Sequence, residues 1–291
     1  MSIKRASGDY QTPPEFARDI CRHIAKDRGI MPSAVLEPAC GTGSFIKAGL
    51  SFNAGKYYGI EINSGYCDIC RKEIQDDRVE IINGDFFSCS LDIIERDNLL
   101  VIGNPPWVNS STLSALGSGS RVYKFNFKGL KGIDAMTGSG DFDICEAFII
   151  RIINEFRCSS TAVAMLCKTS VAREVFKELN RKGISFRYCH EIDMDAMKVF
   201  EVSASACLLL IQLSAEKCHP DTCNVYRYED WNKPVFSYRY RDGALCSTQA
   251  TGTADYGGRC CLEWRQGVKH DWSSTWTAQA GTQTDTVRLS A

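Results

Sequence analysis

Leu36-Glu37-Pro38-Ala39-Cys40-Gly41-Thr42-Gly43-Ser44-Phe45 is the stretch that decides the fold. Ala34-Val35-Leu36 ahead of it reads as a short strand, and residues 44–50 after it read as a helix. Glycines at a strand-to-helix junction let the backbone approach a ligand where a Cβ would clash. The carboxyl end of a strand is also where open α/β sheets bind nucleotides. Taken alone, Gly-x-Gly is equally an ordinary tight turn. Two further strand ends shift the balance. Glu61 closes Gly59-Ile60-Glu61, about twenty residues on, where a carboxylate suits both hydroxyls of a ribose. Asn83-Gly84-Asp85-Phe86 follows the next strand, and an acidic-aromatic pair there can accept from an adenine amine and pack on its ring. Singly, Glu61 or Asp85 is an ordinary surface acid. Together, at successive strand ends, the three predict a site for an adenosine-bearing ligand.

Outward from this core the pattern alternates. Residues 13–27 have helical periodicity, with Thr12 as expected N-cap, Pro13 at the first helical position and Glu15 at the third. Strands are predicted at 57–62, 79–82, 99–103, 161–167, 186–193 and 203–213. Helices are predicted at 66–75, 143–156 and 171–182. Such alternation predicts an α/β fold: a mainly parallel, Rossmann-like sheet with helices on both faces. Residues 225–241 are aromatic and charged, consistent with strands. From 272 onward the chain is rich in Ser, Thr, Gln and Ala without periodicity, and is expected to be a disordered tail.

Composition narrows the class. The 291 residues are 44% hydrophobic and 24% charged, with a net charge of −1 that by itself names no partner. No apolar run is long enough to span a membrane, and Met1–Arg5 begins no secretion signal. Fifteen cysteines invite a disulfide or metal reading. Their odd number, the lone Cys67-Asp-Ile-Cys70, the irregular Cys218-His219/Cys223 cluster and the apolar runs around Cys167 and Cys207 favour reduced thiols instead. A reducing, cytoplasmic setting and no bound metal are the expectations.

Gly103-Asn104-Pro105-Pro106-Trp107 follows the apolar Leu99–Ile102. Two prolines fix the backbone and remove its N–H donors. The Pro105 carbonyl and the Asn104 side-chain oxygen then form two acceptors able to take both protons of one amine, and Trp107 can stack on a flat ring. The bland alternative is a rigid Pro-Pro turn with a packed Trp. Between 109 and 140 lies a long Ser-, Gly- and Lys-rich stretch, of the kind that is usually functional. Its Arg121, Lys124, Lys128 and Lys131 interleave with Tyr123, Phe125 and Phe127; the plain reading is a solvated loop.

At these motifs the chain resembles the S-adenosylmethionine-dependent DNA amino-methyltransferases, specifically the adenine-N6 group of restriction-modification type. The likeness covers roughly residues 8–213. Gly8-Asp9-Tyr10-Gln11-Thr12-Pro13 resembles the family's cofactor-closing motif, and residues 36–45, 59–62 and 83–86 its next three. Asn104-Pro105-Pro106-Trp107 fits [Asp/Asn/Ser]-Pro-Pro-[Tyr/Phe/Trp]. Asp143-Ile144-Cys145-Glu146-Ala147-Phe148 resembles the motif opening the next helix, although Cys145 stands where an aromatic residue is usual. Val199-Phe200-Glu201-Val202 resembles the motif whose Phe stacks on a flipped base.

The resemblance implies a class I methyltransferase fold with S-adenosylmethionine as cofactor, DNA as substrate and no membrane partner. It implies Asn104, Pro105, Pro106 and Trp107 as the catalytic motif, with Trp107 and Phe200 stacking on the target base. It makes Arg121, Lys124, Lys128 and Lys131 candidate contacts to DNA. Thr12, Pro13, Glu37, Ala39, Gly41, Gly43, Phe45, Glu61, Ile62, Asp85, Phe86 and Phe148 are the implied cofactor residues. For Phe148 core packing is an equal alternative. Residues 1–213 would form the cofactor-binding catalytic domain, 214–271 the start of a C-terminal extension or partial target-recognition region, and 272–291 the tail. Trp264–Asp271 resembles the opening of such a recognition region, so a truncated C-terminus is the expectation there. A restriction endonuclease or a separate specificity subunit is the implied partner. The rivals are cytosine-N4 methylation, methylation of a protein glutamine amide or of ribosomal RNA, and a non-enzymatic fragment or subunit.

Overall fold

The computed structural model describes residues 11–109 and 143–248. The loop residues Arg121, Lys124, Lys128 and Lys131, residues 8–10 of the N-terminal motif, and residues 249–291 with their expected recognition region and tail lie outside the described residues.

The elements in chain order are α1 (Pro14–Arg28), β1 (Ala34–Glu37), α2 (Ser44–Gly49), β2 (Lys56–Glu61), α3 (Ser64–Glu73), β3 (Val79–Asn83) and β4 (Leu99–Gly103). After the undescribed stretch come α4 (Ile144–Phe156), β5 (Ala162–Lys168), α5 (Thr169–Arg181), β6 (Phe186–Asp195), α6 (Ala196–Phe200), β7 (Ser205–Leu213), β8 (Thr222–Arg227), β9 (Phe236–Arg241) and β10 (Ala244–Ser247). The ten strands among the described residues join one sheet in the order β10-β9-β8-β6-β7-β5-β4-β1-β2-β3. Strands β3-β2-β1-β4-β5 run parallel, and β7 lies antiparallel between β5 and β6. The sheet continues beyond Leu213: β8 pairs parallel with β6, and β9 and β10 follow antiparallel.

Burial explains the apolar runs. Every residue of β1 and β4 is buried, as expected for central strands covered on both faces. Edge strand β3 is half-buried and exposed throughout. One continuous core runs from Ala17 and Ile20 of α1 through β1, β4, β5 and β7 to Tyr226, Trp231 and Tyr238. Fully burying one of its large apolar side chains, such as Phe45, stabilises the fold by about 2 kcal/mol. Thirteen described cysteines are thiols, most of them buried. Among the described residues no cluster of side chains able to hold a metal ion is present, and no helix is long and apolar enough to cross a membrane.

The start of α1 corrects one expectation. The N-cap is Pro13, with φ −56° and ψ 132°, and no side chain caps the helix; Thr12 is not the cap. The reason is the second proline. A residue before proline is driven out of the helical region, so Pro13 stays extended and the helix starts at Pro14. Two short elements left no periodic trace in the sequence: α6, of five residues, and β10, of four.

Candidate functional site

β1 sits between β2 and β4. The chain leaves it toward β2 and β3 on one side and returns through β4 and β5 on the other, so the order reverses there. Open α/β sheets bind ligands at this point, beyond the carboxyl ends of the strands. The turn after β1 lies at that edge. Gly43 N–H donates to Cys40 O at 2.7 Å, and Gly41 and Gly43 have φ of +53° and +80°. A Cβ on Gly43 would lie 2.9 Å from Ile74 Cδ1, and one on Gly41 would lie 2.6 Å from Gln11 Oε1. Both residues sit in the left-handed region that glycine tolerates, and a Cβ would in addition have to displace the ends of the Gln11 and Ile74 side chains.

Side chains from four segments hold this turn and the start of α2. Glu61, at the end of β2, accepts from Gly41 N–H through Oε2 and from Asn63 N–H through Oε1, both at 2.8 Å. Glu37 accepts from Ile46 N–H at 3.0 Å, and burial holds its carboxyl well above the ordinary carboxylate range. Gln11 Oε1 accepts from Thr42 N–H and Thr42 Oγ1 at 3.2 Å each. Ser44 Oγ donates to Thr12 O at 2.8 Å, so buried Thr12 and half-buried Pro13 are tied to the start of α2. Cys70 Sγ donates to Gly41 O at 3.2 Å, and its hydrogen bond with Cys40 holds its thiol below the usual value.

The remaining expected cofactor residues divide into two sets. Ala39 is half-buried in the turn, and Ile62, 56% exposed, follows Glu61 at the rim. Asp85 lies half-buried beyond β3 and accepts from Phe87 N–H at 2.9 Å, which folds the turn carrying Phe86. Phe45, Phe86 and Phe148 are instead buried. Phe148 stacks on Phe86 at 4.7 Å and 8°, and the Arg151 guanidinium lies 4.7 Å from the Phe86 ring centre. These three rings support the rim by packing.

Asn104-Pro105-Pro106-Trp107 leaves β4 beside the β1 turn. Gly103 packs close to Pro38: a Cβ there would lie 3.4 Å from Pro38 Cδ. Asn104 and Pro106 are half-buried, and Pro105 and Trp107 are buried. The exit of this loop is clamped three times. Trp107 Nε1 donates to Leu166 O of β5 at 3.2 Å. Ile144 N–H donates to Val108 O at 2.9 Å, next to an antiparallel bridge between Asn109 and Asp143. Asp143 accepts from Cys145 N–H at 2.9 Å, capping α4, and takes the Lys168 ammonium at 2.8 Å on its other oxygen. The sequence reading had not included Gln11 and Lys168 among the site residues. Gln11 lies inside the Gly8-Asp9-Tyr10-Gln11-Thr12-Pro13 motif without being singled out, whereas Lys168 carries no signal of its own.

Phe200 reaches the same edge from the other half of the sheet. Asp195 caps α6 by accepting from Met197 and Lys198 N–H groups at 3.0 and 3.1 Å, and Phe200 ends that helix. Its ring meets Trp107 edge to face at 5.4 Å and 74°. The two aromatics assigned to the target base are thus together. A base held between them requires the rings to part and turn toward parallel.

With this geometry in place, comparison with known proteins is informative. The sequence model of the family described as N-6 DNA Methylase matches residues 2–182. The type II methyltransferase M.NspV of Nostoc sp. is 32% identical over 283 residues, which is 94% of this chain and 58% of that protein. The modification methylase CviBIII of Paramecium bursaria Chlorella virus NC1A is 32% identical over 106 residues, 36% of this chain and 27% of that protein. The chain thus spans about 58% and 27% of the length of these curated relatives. Among solved structures, a Listeria monocytogenes protein assigned to the class I S-adenosylmethionine-dependent methyltransferases superposes with a TM-score of 0.55 at 13% identity, covering 77% of this chain and 67% of that one. A type I restriction-modification methyltransferase subunit of Streptococcus thermophilus gives 0.52 at 12%, covering 83% and 51%. At such low identity these two likenesses speak for the fold alone, and it is the class I methyltransferase fold.

Proposed function

The chain belongs to the N-6 DNA methylase family, and from that premise we propose that it transfers a methyl group from S-adenosylmethionine to the N6 amine of an adenine flipped out of duplex DNA. The observation that carries this reading is the shared edge: the glycine turn after β1 and the Asn104-Pro105-Pro106-Trp107 loop after β4 emerge from neighbouring parallel strands.

The residues present fit the cofactor. The left-handed turn at Gly41 and Gly43 has no side chain of its own to cover its backbone, and the Glu61 carboxylate stands at the next strand end. Glu61 would take the ribose hydroxyls, Asp85 the adenine amine, and Thr12, Pro13, Ala39, Gly41, Gly43 and Ile62 would line the methionine and nucleoside parts. Glu37, Phe45, Phe86 and Phe148 would hold that lining in place. When bound, S-adenosylmethionine supplies an electrophilic sulfonium methyl.

The chain's own contribution is position and hydrogen bonding. The amine of adenine is a poor nucleophile because its lone pair delocalises into the ring. Asn104 Oδ1 and the Pro105 carbonyl would accept hydrogen bonds from its two N–H groups, favouring a pyramidal nitrogen whose lone pair points at the methyl, and the nitrogen would release one proton to solvent once methylated. Pro106 stiffens the loop so that the acceptors do not reorganise during transfer. No covalent intermediate is needed, and the gain is that of orientation. A stacked base in a duplex cannot reach this edge, so it must be flipped out, and contact with Trp107 and Phe200 offsets part of the unpairing cost. Arg121, Lys124, Lys128 and Lys131 would contact DNA, and a restriction endonuclease or a separate specificity subunit would be the partner.

The deciding experiment incubates the chain with methyl-labelled S-adenosylmethionine and mixed-sequence duplex DNA, then identifies the labelled nucleoside. N6-methyladenine is expected. Label on cytosine N4, or in RNA or protein but not in DNA, would replace this reading.

A further inference from the structure

Phe200 is not held by its own helix, which is barely more than one turn long. It is held by α1. Phe16 meets it edge to face at 6.0 Å and 90°, on the same ring that Trp107 approaches at 5.4 Å. Phe16 is itself stacked by Tyr228 at 5.2 Å and 29°. Tyr228 follows β8, and its hydroxyl donates to Asp19 Oδ2 at 2.8 Å, one helical turn beyond Phe16. Trp231, 1% exposed, then stacks on His23 of α1 at 4.8 Å and 16°, and Arg28 donates to its carbonyl at 2.5 Å. A row of aromatic contacts therefore runs Trp107–Phe200–Phe16–Tyr228, with its far end pinned by a part-buried hydrogen bond. Edge-to-face and stacked pairs of this kind prefer defined geometries, so each ring restricts the next.

We propose that Phe16 is a positioning residue of the target-base wall, held in place by Tyr228 and set to orient Phe200. This deepens the proposed function, because it rests on Phe200 stacking on the base. It also gives the strands beyond Leu213 a part in the reaction, since Tyr228 and Trp231 come from the connection after β8. Thr12, one turn before Phe16, accepts from Ser44 at the glycine turn. The same N-terminal segment thus touches the cofactor edge and the base wall.

The test is a double-mutant cycle on methyl transfer to unmethylated mixed-sequence DNA, using the full chain. Phe200→Ala, Phe16→Ala and the pair are compared, with Phe16→Leu as the variant that keeps apolar packing without the ring. Phe16→Ala is expected to lower kcat by about tenfold, the cost of a displaced positioning contact, while affinity for S-adenosylmethionine, by calorimetry, changes less than twofold. The pair should be no slower than Phe200→Ala alone, because Phe16 acts only through Phe200. Tyr228→Phe keeps the stack and should retain more activity than Tyr228→Ala. Multiplicative losses in the pair, or full activity in both Phe16 variants, overturn the proposal and leave the role of Phe200 standing. Full activity in Phe200→Ala removes that role, and the proposal with it.

Discussion

Gly41 donates its backbone N–H to Glu61 Oε2 at 2.8 Å, joining the end of β2 to the turn after β1 across twenty residues of chain. Asn63 N–H occupies the other oxygen at 2.8 Å. A carboxylate offers about four acceptor sites, so holding the turn and accepting ribose hydroxyls are compatible tasks. Glu61→Ala removes both. Its cofactor dissociation constant should rise at least about tenfold, in keeping with the roughly 1.5–3 kcal/mol of a hydrogen bond to a charged group. The methylated base should not change. Calorimetric titration checks the first, and an unaltered affinity would count against the ribose assignment.

Asn104→Ala removes one of the two acceptors proposed for the amine and leaves in place the partners of the Gly41–Glu61, Thr42–Gln11 and Cys70–Gly41 hydrogen bonds of the glycine turn. Methyl transfer should fall by about 100-fold or more, as when a preorganised acceptor or donor is deleted from a reaction site. Cofactor affinity should stay within about threefold, because no positioning charge is lost. Activity close to that of the unaltered chain would sink the mechanism.

Trp107→Phe keeps a ring but loses the Nε1 bond to Leu166 O. The cost in stability should be about 1–2 kcal/mol, since a buried carbonyl loses its indole donor. The Cys145 thiol, which also donates to that carbonyl at 3.6 Å, offsets part of it. Urea denaturation reads the shift in midpoint. An unchanged midpoint together with unchanged kcat would show that the clamp is dispensable.

Asp143→Ala breaks the α4 cap and the ion pair with Lys168 at once. Loss of an N-cap alone costs about 1 kcal/mol. Because the same residue bridges to Asn109 at the exit of the catalytic loop, kcat should fall more than KM changes. Steady-state kinetics on DNA separate the two; a pure KM effect would contradict the clamp.

Glu191 gives stability a pH dependence. It is fully buried, with Tyr238 hydroxyl donating at 2.8 Å, the Arg173 guanidinium at 3.5 Å and Asp193 beside it. Burial pushes its carboxyl up to about 7. The folded chain therefore holds this proton more tightly than the unfolded one, and stability falls as pH rises from the ordinary carboxylate value through about 7. His190, which burial pushes down to about 4, works the other way: its contribution is lost as pH falls through its usual range toward 4. Glu191→Gln should therefore gain on the unaltered chain as pH is raised from 5 to 8, by about 1–3 kcal/mol. Denaturation midpoints across that range check the sign; a constant difference would show that Glu191 does not titrate there.

Much of the candidate site was legible because its chemistry is local. The Gly41/Gly43 turn, Glu61, Asp85 and the Asn104 loop each sit directly after a predicted strand, and the strand ends of a parallel sheet fall on one edge. Boundaries moved by a residue or two, and at α1 the tandem prolines displaced the start. α6 and β10 were too short to show a period, and Gln11 and Lys168 act through partners 31 and 25 residues away. Such partners leave no spacing to read.

The sequence by itself determined the alternation of strands and helices, the glycine turn and the Asn104-Pro105-Pro106-Trp107 loop, because these depend on backbone sterics and short-range periodicity. Only the tertiary structure decided which aromatic residues meet. Phe16, Trp107, Phe200 and Tyr228 come from four separate elements, and no local rule brings them together. Their contact follows from sheet order, which sets β6 between β7 and β8 and so carries Phe200 and Tyr228 to α1. That order is fixed by burying one continuous core, a property of the whole chain and of no single stretch in it.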